Sequence, residues 1–463
     1  MRSLINLESD LVNNNNLSKT ANLDDTFNNL SNTAFLSGDN RIDSLLAGYN
    51  WTGTLHQAAN ITYTFQGPLA KNFQTDFNGA LADWARVANV TFTYVPPSSP
   101  AAANVDIVGI DDTTLTSTGS STEIKDGVTN TINVGTNLVS AEVHVDTTNP
   151  NQPAANPDAD IIHTMIHEIG HALGLKHPEN YSSITSGNST DGLGPYLPTG
   201  DATYDNTLMS YTPGTIATLT NPPQTPMPYD ILAMQWLYGA NMNYSGGQTY
   251  KVDGSSTVQT IWNPVGFNNS LDTTEYRGNA TISLKQGQGS TVGNSGVFIA
   301  YNTHITSLTT GPGNDSITAN NAGDVIKTGP GSDTIFGAAG NDTIIASNGN
   351  NVLHGGKGNN ILVGGFGNDT IYGEMGNTTM TGGTGMANFY VFLDTNGPTG
   401  QDKIENFNPS TDHLLFSSKI FSSATQAYAA LGNDGILHMR DGGSIKLVGI
   451  NHNIMPISDF IIV

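Results

Sequence analysis

Four side chains in the segment HTMIHEIGHALGLKHP could carry out metal-assisted hydrolysis. His167 and His171 are four residues apart, so on a helix they share one face and can bind the same metal ion. Glu168 directly follows His167 and is placed to act as a general base on a metal-bound water. Gly174 can end the helix in a left-handed turn, which lets His177 swing back as a third ligand. This spacing predicts one catalytic zinc ion bound by three neutral histidines.

A second segment, TLMSY at 207–211, completes a longer signature. HExxHxxGxxH followed by a methionine-containing turn is the metzincin pattern, and here the turn supplies Met209 beneath the site. Tyr211 could donate a hydrogen bond to an oxyanion, although spacing alone does not place it there. His163 lies one turn before His167 but outside the signature, so we expect it to pack beside the site or support it rather than bind the metal.

The sequence around these motifs predicts a mixed α+β domain that positions the zinc helix. Apolar residues recur at helical spacing over 73–89, and a further helix is predicted near 231–239, where the domain ends. Strands are predicted at 61–65, 90–95, 105–110 and 141–146. An extended substrate is expected to add to this sheet as an edge strand, beside 105–110 or 141–146, and the sequence leaves both open.

The composition of the 463-residue chain limits its partners. Lys and Arg number 16 against 39 Asp and Glu, a formal charge of −23, which argues against nucleic acid or anionic membrane because phosphates require clustered cations. The chain has no cysteine, which excludes disulfides, a thiolate zinc site and a cysteine nucleophile. No stretch is long and apolar enough to predict a membrane span, and the N-terminus lacks the apolar core of a signal peptide.

Three regions differ in character along the chain. Residues 1–38 are rich in Asn and Ser with little periodicity, and we interpret them as a leader or propeptide. Residues 39–245 hold the zinc signature and the predicted helices and strands. From 246 to 463 helical periodicity disappears and Gly, Asn, Asp and Thr dominate, which predicts a separate all-β domain.

A nine-residue repeat fills the region between Thr310 and Phe389. An acidic or polar slot recurs at Asp315, Asp324, Asp333, Asp342, Asn351, Asn360, Asp369 and Thr378. Two residues after each slot lies an apolar residue, at Ile317, Ile326, Ile335, Ile344, Leu353, Leu362, Ile371 and Met380. Each repeat is expected to form a turn and a very short strand with its apolar side chain inward, which together give a parallel β-roll.

The turns of this predicted β-roll have the chemistry of calcium sites. Glycines permit unusual backbone angles, and carboxylates together with turn carbonyls bind Ca²⁺. If two repeats make one coil, Asp315 faces Asp333 and Asp324 faces Asp342, and these pairs are expected to be the best sites, with weaker ones at the Asn and Thr slots. The predicted calcium-binding residues are Gly311, Gly313, Asp315, Asp324, Gly329, Gly331, Asp333, Gly340, Asp342, Gly356, Gly358, Gly365, Gly367 and Asp369.

With both halves described, the chain resembles the serralysins, bacterial metzincins with a C-terminal repeats-in-toxin (RTX) β-roll. The similarity runs from residue 41 to the end and is carried by RIDSLLAGYNWTG, HTMIHEIGHALGLKHPENY, MSY and PMPYDILAMQWLYGAN. The resemblance implies zinc binding by the three histidines and a general-base role for Glu168. It also implies that Met209 is a structural floor and that Tyr211 is an additional ligand, which swings off the metal to stabilise the oxyanion.

The resemblance further implies a secreted, calcium-stabilised zinc endopeptidase that cleaves extracellular proteins as a monomer. The chain ends in DFIIV, which is similar to the uncleaved signal of proteins that leave Gram-negative bacteria through a type I (ABC transporter) exporter, and which also suits a final β-strand. The chain departs from the family's acidic calcium positions at Asn263, Thr306, Thr378 and Ala387. We therefore expect fewer bound calcium ions than in a typical relative, on the order of three to five.

Two other functions are compatible with parts of the sequence. A non-catalytic calcium-binding adhesin or surface-layer protein with a decayed protease domain would share the β-roll, but the intact zinc ligands, Glu168 and Tyr211 argue against decay. A calcium-dependent lipase would need a GxSxG nucleophile elbow, and no such motif stands in a convincing strand-to-helix context.

Overall fold

The computed structural model of the chain describes residues 35–67, 69, 72–111, 127–147, 157–179, 194–243, 246–255, 257–264, 266–385, 387–393 and 399–463. Residues 1–34 of the predicted leader lie outside this part. The remainder of that segment packs onto the first half of the chain, because Phe35 is buried and its carbonyl accepts a hydrogen bond from Trp236 Nε1 at 2.7 Å.

The first half of the chain is an α+β unit built on a five-stranded sheet. Its strands are β1 (Ala59–Gln66), β2 (Val90–Tyr94), β3 (Ile107–Asp111), β4 (Gly127–Val134) and β5 (Asn137–Val145). Its helices are α1 (Asn40–Asp43), α2 (Phe73–Val87), α3 (Pro157–Ala172) and α4 (Pro228–Tyr238), with a 3-10 turn at Pro100–Asn104. The strand order is β2-β1-β3-β5-β4, and every pair is parallel except β4 with β5. Strand β4 therefore forms one edge of the sheet.

The sequence pattern predicts β1, β2, β3 and β5 as well as helices α2 and α4, and all six are confirmed. It does not predict β4, because GVTNTINV alternates Thr and Asn with few large apolar side chains. The expected substrate edge at 105–110 or 141–146 is wrong, since β3 and β5 both lie inside the sheet. The edge next to them is β4.

Helix α2 supplies much of the core of this half and also holds the zinc helix in place. Its fully buried large side chains, spaced three or four residues apart, are Phe73, Phe77, Leu81, Trp84 and Val87. Each such side chain stabilises the fold by about 1.5–3 kcal/mol relative to an exposed one. The Trp84 Nε1–H group donates to the carbonyl of Ile166 in α3 at 3.0 Å.

The second half is a β-roll of two sheets with 11 and 10 strands. The first sheet contains β7 (Val258–Ile261), β9 (Ala280–Ser283), β10 (Gly289–Val292), β11 (Ser295–Ile299), β13 (Ser316–Thr318), β15 (Thr334–Phe336), β17 (Val352–His354), β19 (Thr370–Tyr372), β21 (Phe389–Phe392), β23 (His413–Phe416) and β26 (Phe460–Ile462). The second contains β6 (Thr249–Lys251), β8 (Asn269–Thr273), β12 (Ile305–Thr310), β14 (Val325–Lys327), β16 (Thr343–Ile345), β18 (Asn359–Val363), β20 (Asn377–Thr381), β22 (Gln401–Glu405), β24 (Ile436–His438) and β25 (Ser444–Leu447). A short helix α5 (Ala424–Ala429) and a 3-10 turn at Ile457–Asp459 lie near the end.

Successive repeats alternate between the two sheets, so each strand pairs in parallel with the strand two repeats later. Ile317 is thereby the neighbour of Ile335, and Ile326 that of Ile344. All eight apolar slots are 0% exposed, so their side chains fill the space between the sheets. The predicted parallel β-roll is confirmed.

The core of the first half continues into the second. Val258, Trp262, Phe298 and Ala300 are buried in the same cluster as α2 and α4. Within the described ranges, no helix combines the length and apolar character required to cross a membrane.

Candidate metal centre

Helix α3 and the tight turn after it bring three histidines together. His167 and His171 lie on one face of the helix, which ends at Ala172. Gly174 has φ +103°, and a Cβ there would lie 2.3 Å from the carbonyl oxygen of Tyr49, so both the backbone angle and the space require glycine. The chain then reverses and returns His177 to the helix, as the sequence predicts.

The imidazole rings of His167, His171 and His177 present their Nε2 atoms to one point. Each pair of Nε2 atoms is 3.1 Å apart, close to the separation of about 3.3 Å that tetrahedral coordination with Zn–N bonds of about 2.0–2.1 Å requires. The Nδ1 atom of His167 lies 2.8 Å from the Leu208 carbonyl, and that of His171 lies 2.9 Å from the Leu175 carbonyl. Because a carbonyl only accepts, these Nδ1 atoms carry the protons and the Nε2 lone pairs face one another. The arrangement fits a cation.

Burial and neighbouring side chains keep His167 in its metal-binding form. Burial, followed by the neighbouring His171 and His177, lowers the pKa of His167 well below its usual value, so this ring is neutral. Burial likewise lowers the pKa of His163 to about 4. His163 lies outside the cluster, with Nδ1 3.0 Å from the Pro223 carbonyl, and packs beside the site as expected.

Glu168 is held against the edge strand β4. Its side chain is 6% exposed, and its Oε2 accepts a hydrogen bond of 2.7 Å from Thr129 Oγ1. The same hydroxyl lies 2.8 Å from the Glu168 backbone carbonyl. A Cβ on Gly127 would approach the Glu168 Cγ to 2.7 Å, so glycine allows β4 to pack directly on the carboxylate side chain. Thr129 and Gly127 have no motif signal in the sequence.

Met209 packs against the zinc helix. Met209 is fully buried, and its Sδ would be only 2.8 Å from a Cβ on Gly170, which explains a glycine within the zinc helix. Asp230 of α4 fixes this turn by accepting from Thr207 Oγ1 at 2.5 Å and from Leu208 N at 2.8 Å. No short motif indicates this role, although an acid inside the apolar run PYDILAM is the signal that could have revealed it.

Tyr211 lies at the exposed side of the cluster. Its side chain is 54% exposed, and its ring centroid is 5.5 Å from that of His167 and 4.8 Å from that of His177. Glu179, another residue that no motif singles out, holds both neighbours of Tyr211. Its Oε1 accepts from Ser210 Oγ at 2.5 Å and lies 3.4 Å from the hydroxyl of the residue on the other side, Thr212.

The predicted acidic slots of the β-roll lie in facing turns. Asp315 N donates to Asp333 Oδ1 at 2.9 Å, and Asp324 N donates to Asp342 Oδ1 at 2.7 Å, so both expected pairs face each other. The Oδ2 atoms of Asp333, Asp342 and Asp369 are buried and have no hydrogen-bond partner among the described residues. The predicted glycines occupy the turns between these strands, at Gly311, Gly313, Gly329, Gly331, Gly340, Gly356, Gly358, Gly365 and Gly367.

Burial raises the pKa of the carboxyl groups in the slots, to about 6 for Asp324 and about 7 for Asp342. A buried carboxylate without a partner is costly, and a hard cation would compensate it. These turns therefore fit Ca²⁺.

The slots are linked by hydrogen bonds from the backbone N–H of one slot to the side-chain oxygen of the next. This series continues past the repeats, at positions that a nine-residue spacing does not predict. The slot after Asp369 is Asn388 and not the expected Ala387, because Asp369 N donates to Asn388 Oδ1 at 3.1 Å. The slot after Thr378 is Asp402, which accepts from Thr378 N at 2.8 Å. These slots are 19 and 24 residues on, so a strict nine-residue period misses both.

Comparisons with known proteins agree with this architecture. The matrixin peptidase family matches residues 51–190, and the RTX calcium-binding nonapeptide repeat (4 copies) matches 309–344 and 345–380. The chain is 30% identical over 314 residues to serralysin B of Dickeya chrysanthemi, which covers 58% of this chain and 60% of that protein. It is 32% identical over 210 residues to metallopeptidase AprA of Pseudomonas marginalis, which covers 39% of this chain and 42% of that protein. The chain thus matches about three-fifths or less of the length of these relatives.

The fold, the histidine cluster and the family match therefore define a matrixin-type peptidase domain with a candidate zinc site. The chain joins this domain to RTX repeats and is similar to serralysin B over about three-fifths of its length, which confirms the resemblance predicted from the sequence. Its metals are accordingly catalytic zinc and the calcium of the repeats.

Proposed function

We propose that the chain is a secreted zinc-dependent endopeptidase that hydrolyses peptide bonds in extracellular proteins and is stabilised by calcium. The convergence of three Nε2 atoms beside a buried glutamate is the observation that carries this proposal. We propose a leader up to about residue 38, a catalytic domain over 39–245 and a calcium-binding domain over 246–463. The burial of Phe35 supports a leader that ends slightly earlier.

His167, His171 and His177 would hold the zinc. Bound there, zinc supplies a Lewis acid and lowers the pKa of water at the site. Glu168 removes a proton from the attacking water and returns it to the leaving amine. Its bond from Thr129 supports this role by fixing the carboxylate against β4, since a general base must lie within hydrogen-bond reach of the proton it takes.

Tyr211 is proposed both to bind the metal in the resting enzyme and to donate a hydrogen bond to the oxyanion during the reaction. Its ring lies beside two of the histidines while more than half of the side chain is exposed, which leaves it room to move. The hydrogen bonds of Glu179 to the residues on both sides limit that movement to the side chain. A donor aimed at developing charge is among the largest contributions to such catalysis.

The substrate backbone is proposed to add to the sheet at β4. This strand is the edge of the sheet, and its residues Gly127 and Thr129 both contact Glu168. An extended peptide paired with β4 would therefore pass the general base with its carbonyl groups in a fixed register.

Export through a type I (ABC transporter) route is part of the same proposal. The terminal residues from Phe460 to Ile462 form β26, which pairs with β23, so the segment with export-signal character is also a strand of the folded β-roll. Recognition by an exporter would then precede folding. We propose that the folded protein acts as a monomer on protein and peptide substrates.

The Glu168→Gln variant tests the assignment of the general base. We expect zinc content and fold to be retained and kcat on a peptide substrate to fall by about a thousandfold or more, because proton transfer by a positioned base contributes about 10²–10⁴-fold and the base acts twice. Near-normal turnover would refute the assignment. Inactivity of the wild-type protein with both metals bound would instead support the non-catalytic adhesin.

A further inference from the structure

The slots along one edge of the β-roll form a ladder, and its rungs from Asp315 to Asp369 each join two turns 18 residues apart. In every rung on this edge, the backbone N–H of one slot donates to the Oδ1 atom of the next. The sequence of donors is Asp315 to Asp333 at 2.9 Å, Asp333 to Asn351 at 3.0 Å, and Asn351 to Asp369 at 2.8 Å. The rungs therefore share one backbone geometry, whatever the side chain in the slot.

Asn351 differs from its neighbours in what its second side-chain atom does. Its Nδ2 atom lies 3.0 Å from Asp369 Oδ1, 3.1 Å from the Gly364 carbonyl and 3.3 Å from the Gly349 carbonyl. The amide orientation is unambiguous, because Oδ1 faces a backbone donor while Nδ2 faces three acceptors. Two turn carbonyls and a carboxylate are the oxygen ligands that Ca²⁺ requires.

We propose that the side-chain amide of Asn351 takes the place of a Ca²⁺ in the rung between Asn351 and Asp369, and that this rung forms without metal. The two amide hydrogens bear partial positive charge and bind oxygens that a cation would otherwise bridge. A calcium ion cannot enter the same space while the amide occupies it. The rung is a latent calcium site, which a carboxylate at position 351 would open.

Two other asparagine slots show what the replacement requires. Asn388 repeats the arrangement, since its Nδ2 donates to Asp412 Oδ1 at 3.1 Å. Asn360 does not, because the next slot is Thr378, which has no carboxylate, and the Asn360 Nδ2 atom is buried without a partner among the described residues. The amide therefore bridges a rung only where an aspartate follows in the next slot.

The consequence is a β-roll with two kinds of rung. Asp333, which faces Asp315, has a buried Oδ2 atom without a partner among the described residues, so this kind of rung is expected to depend on calcium for its folded form. In the Asn351 rung, the Nδ2 atom instead lies within hydrogen-bond distance of Asp369 Oδ1 and of the Gly349 and Gly364 carbonyls, although Asp369 Oδ2 has no partner among the described residues. We therefore expect the aspartate rungs to form only when calcium binds. The Asn351 rung is expected to form without calcium. This inference goes beyond the proposed peptidase function and does not depend on it.

Metal analysis of the full chain, dialysed against Ca²⁺ alone, tests the proposal. We expect Asn351→Asp to retain at least one more Ca²⁺ per chain than the wild type. We expect Asn351→Ala to retain the wild-type number, because the asparagine is not a ligand. A wild-type count in Asn351→Asp, or the loss of an ion in Asn351→Ala, would overturn the proposal.

Asn360→Ala is the matched control for stability. Both asparagines accept a backbone N–H through Oδ1, at 3.0 Å for Asn351 and 2.9 Å for Asn360, but only the Asn351 amide has acceptors for its own hydrogens. At equal limiting calcium, we expect the thermal unfolding midpoint of Asn351→Ala to lie several degrees below that of Asn360→Ala. Equal midpoints would contradict the bridging role, and this comparison applies even if Asn351→Asp does not fold.

Discussion

Replacing Asp230 with alanine or asparagine tests how helix α4 supports the metal centre. This carboxylate is fully buried and accepts hydrogen bonds from Thr207 Oγ1, Leu208 N and Met227 N. The carbonyl of Leu208 in turn accepts from His167 Nδ1, so Asp230 is one hydrogen bond removed from a zinc-binding histidine. The alanine variant removes all three bonds, whereas the asparagine variant can keep two.

The structure gives the size of each effect. Alanine leaves the N–H groups of Leu208 and Met227 buried without an acceptor, and each orphaned donor costs about 1–3 kcal/mol, so we expect a loss of about 4 kcal/mol in the free energy of unfolding. Asparagine can place its oxygen toward both N–H groups and its amide toward the Thr207 hydroxyl, which can rotate to accept. We expect it to cost about 1 kcal/mol at low pH.

The two variants also differ from the wild type in their pH dependence. Burial raises the pKa of Asp230 to about 7, against the opposing effect of its hydrogen bonds. A carboxyl whose pKa is higher in the folded than in the unfolded state contributes stability that is complete below about pH 4 and lost as the pH rises through about 7. Asparagine does not titrate, so the Asp230→Asn variant should gain stability relative to the wild type as the pH rises from about 4 to about 7.

Urea unfolding followed by tryptophan fluorescence reports on the first half of the chain, which contains Asp230. All four tryptophans, Trp51, Trp84, Trp236 and Trp262, lie in or against the first core. In the alanine variant, zinc affinity should also fall about 10–100-fold, because the support of His167 is loosened. Equal free energies of unfolding for the two variants would refute this account of Asp230. So would a stability difference between Asp230→Asn and the wild type that does not change with pH.

Three further predictions concern the active site, the turn after the zinc helix and the calcium sites. Tyr211→Phe should lower kcat about 10²-fold with zinc content and KM nearly unchanged in steady-state assays, whereas a large rise in KM alone would indicate a substrate-binding role. Gly174→Ala should destabilise the first half by more than about 2 kcal/mol in urea unfolding, because φ is +103° and the added Cβ would meet a backbone carbonyl at 2.3 Å; unchanged stability would contradict the tight turn at this position. The apparent calcium affinity should fall as the pH drops below about 7, because protons compete for Asp342 and Asp324, with pKa values raised to about 7 and about 6; calcium titrations that give equal affinity at pH 5.5 and pH 8 would contradict this.

The zinc cluster can be predicted from sequence because its determinants are local. The spacing of His167 and His171 places them on one helical face, and a single glycine at position 174 returns His177. The β-roll is equally predictable from sequence, because eight apolar slots in one register leave only one face for the core. Both depend on patterns within a few residues.

The parts that sequence does not predict depend on distant contacts. The order of strands in the sheet is not encoded in any one strand, so the pattern misses β4 and misplaces the substrate edge. Thr129 and Asp230 act on residues 39 and 22 positions away along the chain, and no short motif reports such a partner. Asn388 and Asp402 continue the calcium ladder after irregular insertions, which a fixed period cannot follow.

Hydrolysis of casein by the purified protein in Ca²⁺, with and without the zinc chelator o-phenanthroline, tests the central claim most directly. We expect activity that disappears with the chelator and returns when zinc is added, because the three histidine Nε2 atoms are arranged to bind a cation. Activity that survives complete removal of zinc, or no activity when the leader is removed and both metals are bound, would contradict the metallopeptidase assignment.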